Sequence, residues 1–166
     1  PYAQNENGAT PMHLAAQISP HKTFKQVLDS CSFVNLEIED FQGLTPLFYA
    51  AEKGNNAYVH QLLEKGANPD HRNHFQFTPA VYAERQQKTE VLRTLLNVCE
   101  IEKYLSTQKE KITLLHLLAK RNPEMFLEAL EKTPTSTYSE DRRKGIAQIL
   151  ARNGSLKALR FLAYKD

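Results

Sequence analysis

Thr45-Pro46-Leu47-Phe48-Tyr49-Ala50-Ala51 is the stretch that decides the fold, because it recurs. It is matched upstream by Thr10-Pro11-Met12-His13-Leu14-Ala15-Ala16 and downstream by Thr78-Pro79-Ala80-Val81-Tyr82-Ala83-Glu84. Looser copies follow at Thr113-Leu114-Leu115-His116-Leu117-Leu118-Ala119 and Gly145-Ile146-Ala147-Gln148-Ile149-Leu150-Ala151. The copies start at 10, 45, 78, 113 and 145, which puts them 35, 33, 35 and 32 residues apart. A fixed period of this size is the signature of a repeat architecture, in which each unit is one supersecondary element.

The chemistry of one copy accounts for the period. Thr followed by Pro reads as a helix start, with the hydroxyl expected to cap free amides and Pro at the first helical position, where its missing N–H costs nothing. The Ala pair lets a neighbouring helix approach closely. A second stretch with apolar residues at helical intervals comes next: Val59, Leu62 and Leu63, then Val91, Leu92, Leu95 and Leu96. Met125, Phe126, Leu127 and Leu130 repeat it, as do Leu156, Leu159, Phe161 and Leu162. Gly54-Asn55 separates the two helices of the second copy, and Gly66-Ala67-Asn68-Pro69-Asp70 ends that unit with a helix stop and a turn.

Asp40-Phe41-Gln42-Gly43-Leu44-Thr45-Pro46-Leu47 through Gly66-Ala67 resembles the ankyrin repeat, whose period is about 33 residues and whose signature is T-P-L-H-x-A. The likeness is strong over residues 5–96 and weak after 100. It implies an all-α ankyrin-repeat solenoid of about five stacked helix-turn-helix units joined by hairpin loops, with the later repeats degenerate. The whole chain, 1–166, is then one ankyrin-repeat domain with repeats near 5–37, 40–72, 73–107, 108–139 and 140–166. Gly8 and Gly43 hold the turn glycine, whereas Gln76, Lys111 and Arg143 replace it, leaving the hairpin tip unspecified in the later copies. The charged segment from Val98 to Lys111 is expected to form an irregular or partly helical connection, and the charged fifth copy suits a cap, since terminal repeats need polar outer faces.

Composition sets the outer bounds. With 166 residues, 41% of them hydrophobic and 24% charged, one domain is the expectation, and the apolar content is too high for a disordered tail. Uncharged greasy stretches such as Ile112 to Ala119 are far short of the roughly 20 residues that cross a bilayer, and nothing at the start of the sequence reads as a signal peptide. Pro at position 1 reads as a piece of a longer protein. Two cysteines, Cys31 and Cys99, fit buried thiols of an intracellular protein better than a disulfide. The expected compartment is the cytoplasm, or the host cytosol if the source is an intracellular pathogen.

Candidate chemistry is sparse. His13 and His116 share a repeat position and, by the resemblance, belong to the turn-and-helix hydrogen-bond network rather than serving as general bases. Neither cysteine lies in a nucleophile motif, and no Gly-rich phosphate loop, HExxH or GxSxG occurs. Asp70-His71-Arg72-Asn73-His74 carries two histidines beside an acid, and a solvated loop explains it better than a metal site. The reading is therefore non-enzymatic, with no cofactor, no metal and no small-molecule substrate.

By the resemblance, the residues before each Thr and after the first Ala pair face a concave binding surface. In this sequence they are Glu6, Asn7, Ala9, Gln17 and Ile18; Phe41, Gln42, Leu44, Glu52 and Lys53; and His74, Phe75, Phe77, Glu84 and Arg85. Ile112, Lys120, Arg121, Lys144, Arg152 and Asn153 follow in the poorer copies. Phe41, Phe75 and Phe77 lie in turns, where large rings serve either as partner anchors or as a satellite cluster between hairpins. The expected partner-binding set is Phe41, Gln42, Leu44, Lys53, His74, Phe75, Phe77, Arg85, Lys120, Arg121 and Arg152.

The net charge of +2 divides into −3 over residues 1–100 and +5 over 101–166, where Arg142-Arg143-Lys144 stands out. A solvated cap surface is the first reading of that run; as a basic patch with Lys120, Arg121 and Arg152 it would favour a protein or peptide partner with an acidic segment, and it is too poor in interleaved aromatics for a nucleic-acid reading. A second reading makes the piece a regulatory or substrate-recruiting arm of an enzyme whose catalytic domain lies elsewhere.

Overall fold

The computed structural model describes residues 3–18, 20–30, 36–99, 114–131, 144, 147–148, 150–152, 154, 156 and 159–160. Among them are eight bounded helices and no strand, so the described fold is all-α. The helices are α1 Pro11–Ile18, α2 His21–Asp29, α3 Pro46–Lys53, α4 Asn56–Glu64, α5 Pro79–Arg85, α6 Thr89–Val98, α7 Leu114–Arg121 and α8 Pro123–Glu131. The chain divides into two compact units, Pro1–Cys99 and Glu100–Asp166. The boundary falls at the start of the charged connection, whose residues 100–113 lie outside the described set.

In the first unit the helices pair as α1 with α2, α3 with α4 and α5 with α6. The inner helices α1, α3 and α5 pack in series, and the outer helices α4 and α6 pack on one another. Prolines open α1, α3 and α5 as expected. The threonines act differently from the expectation: neither Thr45 nor Thr78 caps its helix with a side-chain hydrogen bond. Thr10 instead bonds the imidazole of His13, Oγ1 to Nδ1 at 2.7 Å, and its backbone N–H donates to the same nitrogen at 3.1 Å. Nδ1 is thus an acceptor, and Nε2–H donates to the carbonyl of Leu44 at 2.8 Å, tying the first repeat to the second. The network role implied for His13 is therefore present, whereas the side chain of His116 lies outside the described residues.

Small residues set the inner-helix spacing. Ala15, Ala16, Ala50, Ala51 and Ala83 are all buried. Tyrosines fill the seams between repeats: Tyr49 meets His13 edge-on at 5.1 Å, Tyr82 meets Phe48 edge-on at 5.2 Å, and Tyr58 stacks on Phe24 at 3.8 Å. Phe48 takes the register position of His13 and is fully buried, which contributes about 1.5–3 kcal/mol by area. In the second unit α7 packs on α8 through the buried Leu114, Leu118, Met125, Phe126 and Ala129. Cys99 is a buried thiol with Sγ 3.8 Å from the Pro69 carbonyl, and Cys31 lies outside the described residues.

Candidate functional site

The first unit builds three hairpins by one device. Asn5, Asp40 and Asn73 stand five residues before Thr10, Thr45 and Thr78. The side-chain Oδ1 of each accepts two backbone amides, two and four residues on. For Asn5 these are Asn7 and Ala9 at 3.0 and 2.9 Å; for Asp40, Gln42 and Leu44 at 2.8 and 2.9 Å; for Asn73, Phe75 and Phe77 at 3.0 and 2.9 Å. The backbone closes each turn as well, with Asn5, Asp40 and Asn73 N–H donating to the carbonyls of Ala9, Leu44 and Phe77 at 2.9–3.0 Å. Short polar side chains favour turns because they supply such local acceptors. Sequence reasoning missed this role, although the same 35- and 33-residue spacing that fixes the threonines also fixes Asn5, Asp40 and Asn73.

The hairpins are bonded to one another. Phe41 N–H donates to Asn7 O at 3.0 Å and His74 N–H to Gln42 O at 3.1 Å. The tip that the sequence left unspecified in the third copy is intact: Gln76 takes φ 63, the left-handed conformation that Gly8 and Gly43 take at 79 and 77. The same replacement recurs after the inner helix, where Gln87 at φ 56 stands in for Gly54 at φ 82. The first turn keeps the Asn73 side-chain bonds and the second its backbone bonds, Gln87 N–H to Glu84 O at 3.0 Å and Lys88 N–H to Ala83 O at 2.8 Å, at the cost of a left-handed glutamine in each.

Rings then line the hairpins. Phe41 is 68% exposed and Phe75 63%, with His74 and Gln42 also exposed. Phe41 rests one edge on the preceding turn, since a Cβ at Gly8 would meet its Cδ1 at 2.6 Å. His74 covers Gly43 in the same way, Cδ2 lying 2.7 Å from where a Cβ would stand. Lys53 and Arg85 are exposed on the ends of α3 and α5.

Four expected surface positions are corrected. Ala9 and Leu44 are buried and Phe77 is half-buried, because the residue before each Thr closes the base of its hairpin and turns inward. The exposed face of Phe77 carries the Arg85 guanidinium, 5.4 Å from the ring centroid. Glu84 is 1% exposed, since it aligns with the buried Ala16 and Ala51 and the surface register begins one residue later, at Arg85. In the second unit Lys144, Arg121 and Arg152 are exposed; Lys120 lies on α7 with its side chain outside the described residues, as are Ile112 and Asn153.

The two histidines of the Asp70–His74 segment face other acids. His71 lies 3.7 Å from Glu37 and 3.3 Å from Glu39, and His74 lies 3.6 Å from Glu39. Burial pushes the Glu37 carboxyl above its ordinary range, opposed by the Asn68 amide and by His71. Among the described residues no three His, Cys, Asp or Glu side chains group so as to hold a metal ion. Tyr49 donates to Asp40 Oδ2 at 2.8 Å, and its hydroxyl pKa is raised by burial first and by that carboxylate second. Tyr82, raised by burial and by Glu52, plays the matching part by accepting from Asn73 Nδ2 at 3.2 Å.

Serial helix pairs with a Thr-Pro start, an Ala pair and side-chain-closed hairpins at a period near 33 define an ankyrin-repeat protein. The family model for ankyrin repeats (3 copies) matches residues 1–73, and the described helices are consistent with an all-α ankyrin-repeat fold. It is similar to an IkB-like protein of African swine fever virus, 24% identical over 133 residues that cover 78% of this chain and 56% of the relative. The chain thus spans little more than half the length of that relative. A putative ankyrin repeat protein of Rickettsia bellii is 28% identical over 98% of this chain and 25% of its own length. The mouse B-cell lymphoma 3 protein homolog is 36% identical over 72 residues, 42% of this chain and 16% of that protein. Ankyrin repeats are protein-interaction modules, and no helix among the described residues is long and apolar enough to cross a membrane.

Proposed function

We propose that this chain is a non-enzymatic module of a regulatory kind, holding a partner protein or peptide in a concave groove lined by its hairpins and inner helices. The observation that carries the reading is the exposure of Phe41 and Phe75, at 68% and 63%, on turns whose backbone is pinned by Asp40 and Asn73. Rings held on a rigid backbone lose little entropy on docking, and aromatic anchors supply much of the energy of an interface. Gln42 and His74 offer polar contacts beside them. Lys53 and Arg85 supply positive charge that orients an acidic segment and speeds its encounter. IkB-like relatives in a virus and a relative in Rickettsia support a regulatory role exercised in a host cell.

The test is the Phe41→Ala/Phe75→Ala double substitution. Partners captured by the wild-type chain are identified, and the affinity of the most enriched one is then measured for both chains. A loss of about 30-fold or more, the equivalent of roughly 2 kcal/mol for a strong anchor, is expected with the unfolding midpoint nearly unchanged. A chain that melts far earlier while its folded fraction binds normally makes the rings structural and removes the reading.

A further inference from the structure

We propose that the cleft between the outer helices α2 and α4 is a second binding site, which takes a single carboxylate carried on a short aliphatic arm. The residues that close the next seam of the stack point to it. Between α4 and α6 the Thr94 hydroxyl donates to Asn56 Oδ1 at 2.8 Å and lies 3.4 Å from His60 Nε2. One repeat earlier, by the 35- and 33-residue offsets, the same positions are His21, Lys25 and Gln61. Among the described residues no hydrogen bond joins these three side chains, and all three line a cleft of about 310 Å³. The helices there pack less closely than α4 and α6 do. They touch through Phe24 stacked on Tyr58 at 3.8 Å, with the His21 ring 5.9 Å from the same tyrosine.

The lining sets the chemistry of the ligand. A lysine ammonium only donates hydrogen bonds, and an imidazole and a carboxamide each offer a donor too, so His21, Lys25 and Gln61 together call for an acceptor. Lys25 is exposed with its charge uncommitted, whereas Asp29 is paired with Lys65 at 3.7 Å. An ammonium–carboxylate bond is about twice as strong as a neutral one, which favours an anion over a plain carbonyl. Lys25 and Lys65 balance Asp29 and Glu64, so the cleft carries no net charge from these four to offset a dianion. A phosphate monoester, at about −1.5 to −2, would meet both acids. Leu28, 3% exposed, forms an apolar floor suited to a hydrocarbon arm. The volume is at the lower limit of ligand pockets, roughly 300–1,000 Å³, and fits a group the size of one side chain. None of these residues belongs to a hairpin, so the site stands apart from Phe41 and Phe75.

The test titrates the isotope-labelled chain with hexanoate and, separately, with the peptide acetyl-Leu-Gln-Glu-Gln-Leu-amide, following backbone and side-chain NMR shifts. Saturable shifts at Lys25, Leu28 and Gln61 are expected with either probe. The tighter of the two assigns the carboxylate to a free acid or to a glutamate of a protein. Lys25→Met is expected to weaken binding about tenfold, through loss of the charge-assisted bond. Lys22→Met, on the same helix and outside the cleft, is expected to change it by under about twofold, since exposed charges are screened by salt. The triple substitution His21→Asn/Lys25→His/Gln61→Thr installs the residues of the next seam and is expected to abolish binding with no fall in the unfolding midpoint. Shifts that do not saturate, an equal loss in Lys22→Met, a folded triple variant that still binds, or tighter binding of inorganic phosphate than of either probe overturns the inference.

Discussion

Replacing Gln76 by glycine is expected to stabilise this protein, and placing alanine at Gly43 to damage it, although the two positions are equivalent. Gln76 sits at φ 63 with an exposed side chain, and the turn bonds there are made by backbone: Gln76 N–H to Asn73 O at 2.8 Å, and Gln76 O from Arg72 at 3.3 Å. Glycine keeps both. A left-handed L-residue costs roughly 1–2 kcal/mol, and the extra freedom of glycine in the unfolded chain returns about 0.4–1 kcal/mol of that, leaving a gain of about 0.5–1 kcal/mol. Gln87, exposed at φ 56, gives the same arithmetic. The Gln76→Gly/Gln87→Gly pair is then expected to gain about 1–2 kcal/mol, and at about 2–4 °C per kcal/mol for a chain of this size the midpoint rises by roughly 2–8 °C.

Gly43→Ala runs the other way for two reasons. The new Cβ would adopt a φ of 77, at the same roughly 1–2 kcal/mol, and would stand 2.8 Å from the backbone nitrogen of His74. That nitrogen cannot retreat without breaking its bond to Gln42 O, worth about 0.5–1.5 kcal/mol, and alanine returns about 0.4–1 kcal/mol in the unfolded chain, so the total loss is about 1–3 kcal/mol. Urea and thermal unfolding followed by far-ultraviolet circular dichroism measure both effects. A destabilised Gln76→Gly, or a Gly43→Ala indistinguishable from wild type, would refute the claim that backbone strain in the third repeat stands where glycine stands in the second.

Asn73→Ala removes the acceptor of the Phe75 and Phe77 amides and is expected to cost about 2–4 kcal/mol in urea unfolding. Asn73→Asp is expected to cost under about 1 kcal/mol, because Asp40 performs the same task with the Tyr49 hydroxyl as donor, and Tyr82 can turn its hydroxyl likewise. Burial lowers the His13 pKa below its ordinary 6.5, so the unfolded chain binds the more protons just below that pH. Its contribution is complete above pH 6.5 and is lost as the pH falls through the folded-state value; His13→Phe, which installs the residue of the next repeat, is expected to flatten that part of the wild-type stability–pH curve.

The helices and their order were legible because period, Thr-Pro starts and Ala pairs are local signals that later packing reinforces. Legibility stopped where a position depends on which way a turn closes. Leu44 and Phe77 read as surface residues because they sit in turns, yet each is at the base of its hairpin, where its N–H is already committed to Asp40 or Asn73. Glu84 was misplaced for a different reason: alanine gives way to an acid in the third copy, and a register judged by residue type slips by one there. The rings of Phe41 and Phe75 could not be assigned from sequence either, since an exposed turn and a collapsed satellite cluster have the same composition. Their exposure follows from the ladder, which holds the tips apart by hydrogen bonds between backbones rather than between side chains.

That division of labour within the hairpin has a consequence for recognition. The turn is secured by Asn5, Asp40 or Asn73 below it and by backbone bonds across it, and so it asks little of the residues at 41, 42, 74 and 75. Those positions are free to carry phenylalanine, glutamine or histidine without loss of the turn, and they are the ones most open to a partner. Residues 40, 44, 73 and 77 are held by the turn and answer to stability instead. The hairpin therefore separates what is open at the surface from what keeps the fold, residue by residue along five positions, and under the proposed function the open positions are the ones that select a partner. Under that proposal a partner would be read by side chains whose backbone was set before it arrived, which is the condition under which a small exposed ring contributes most to binding.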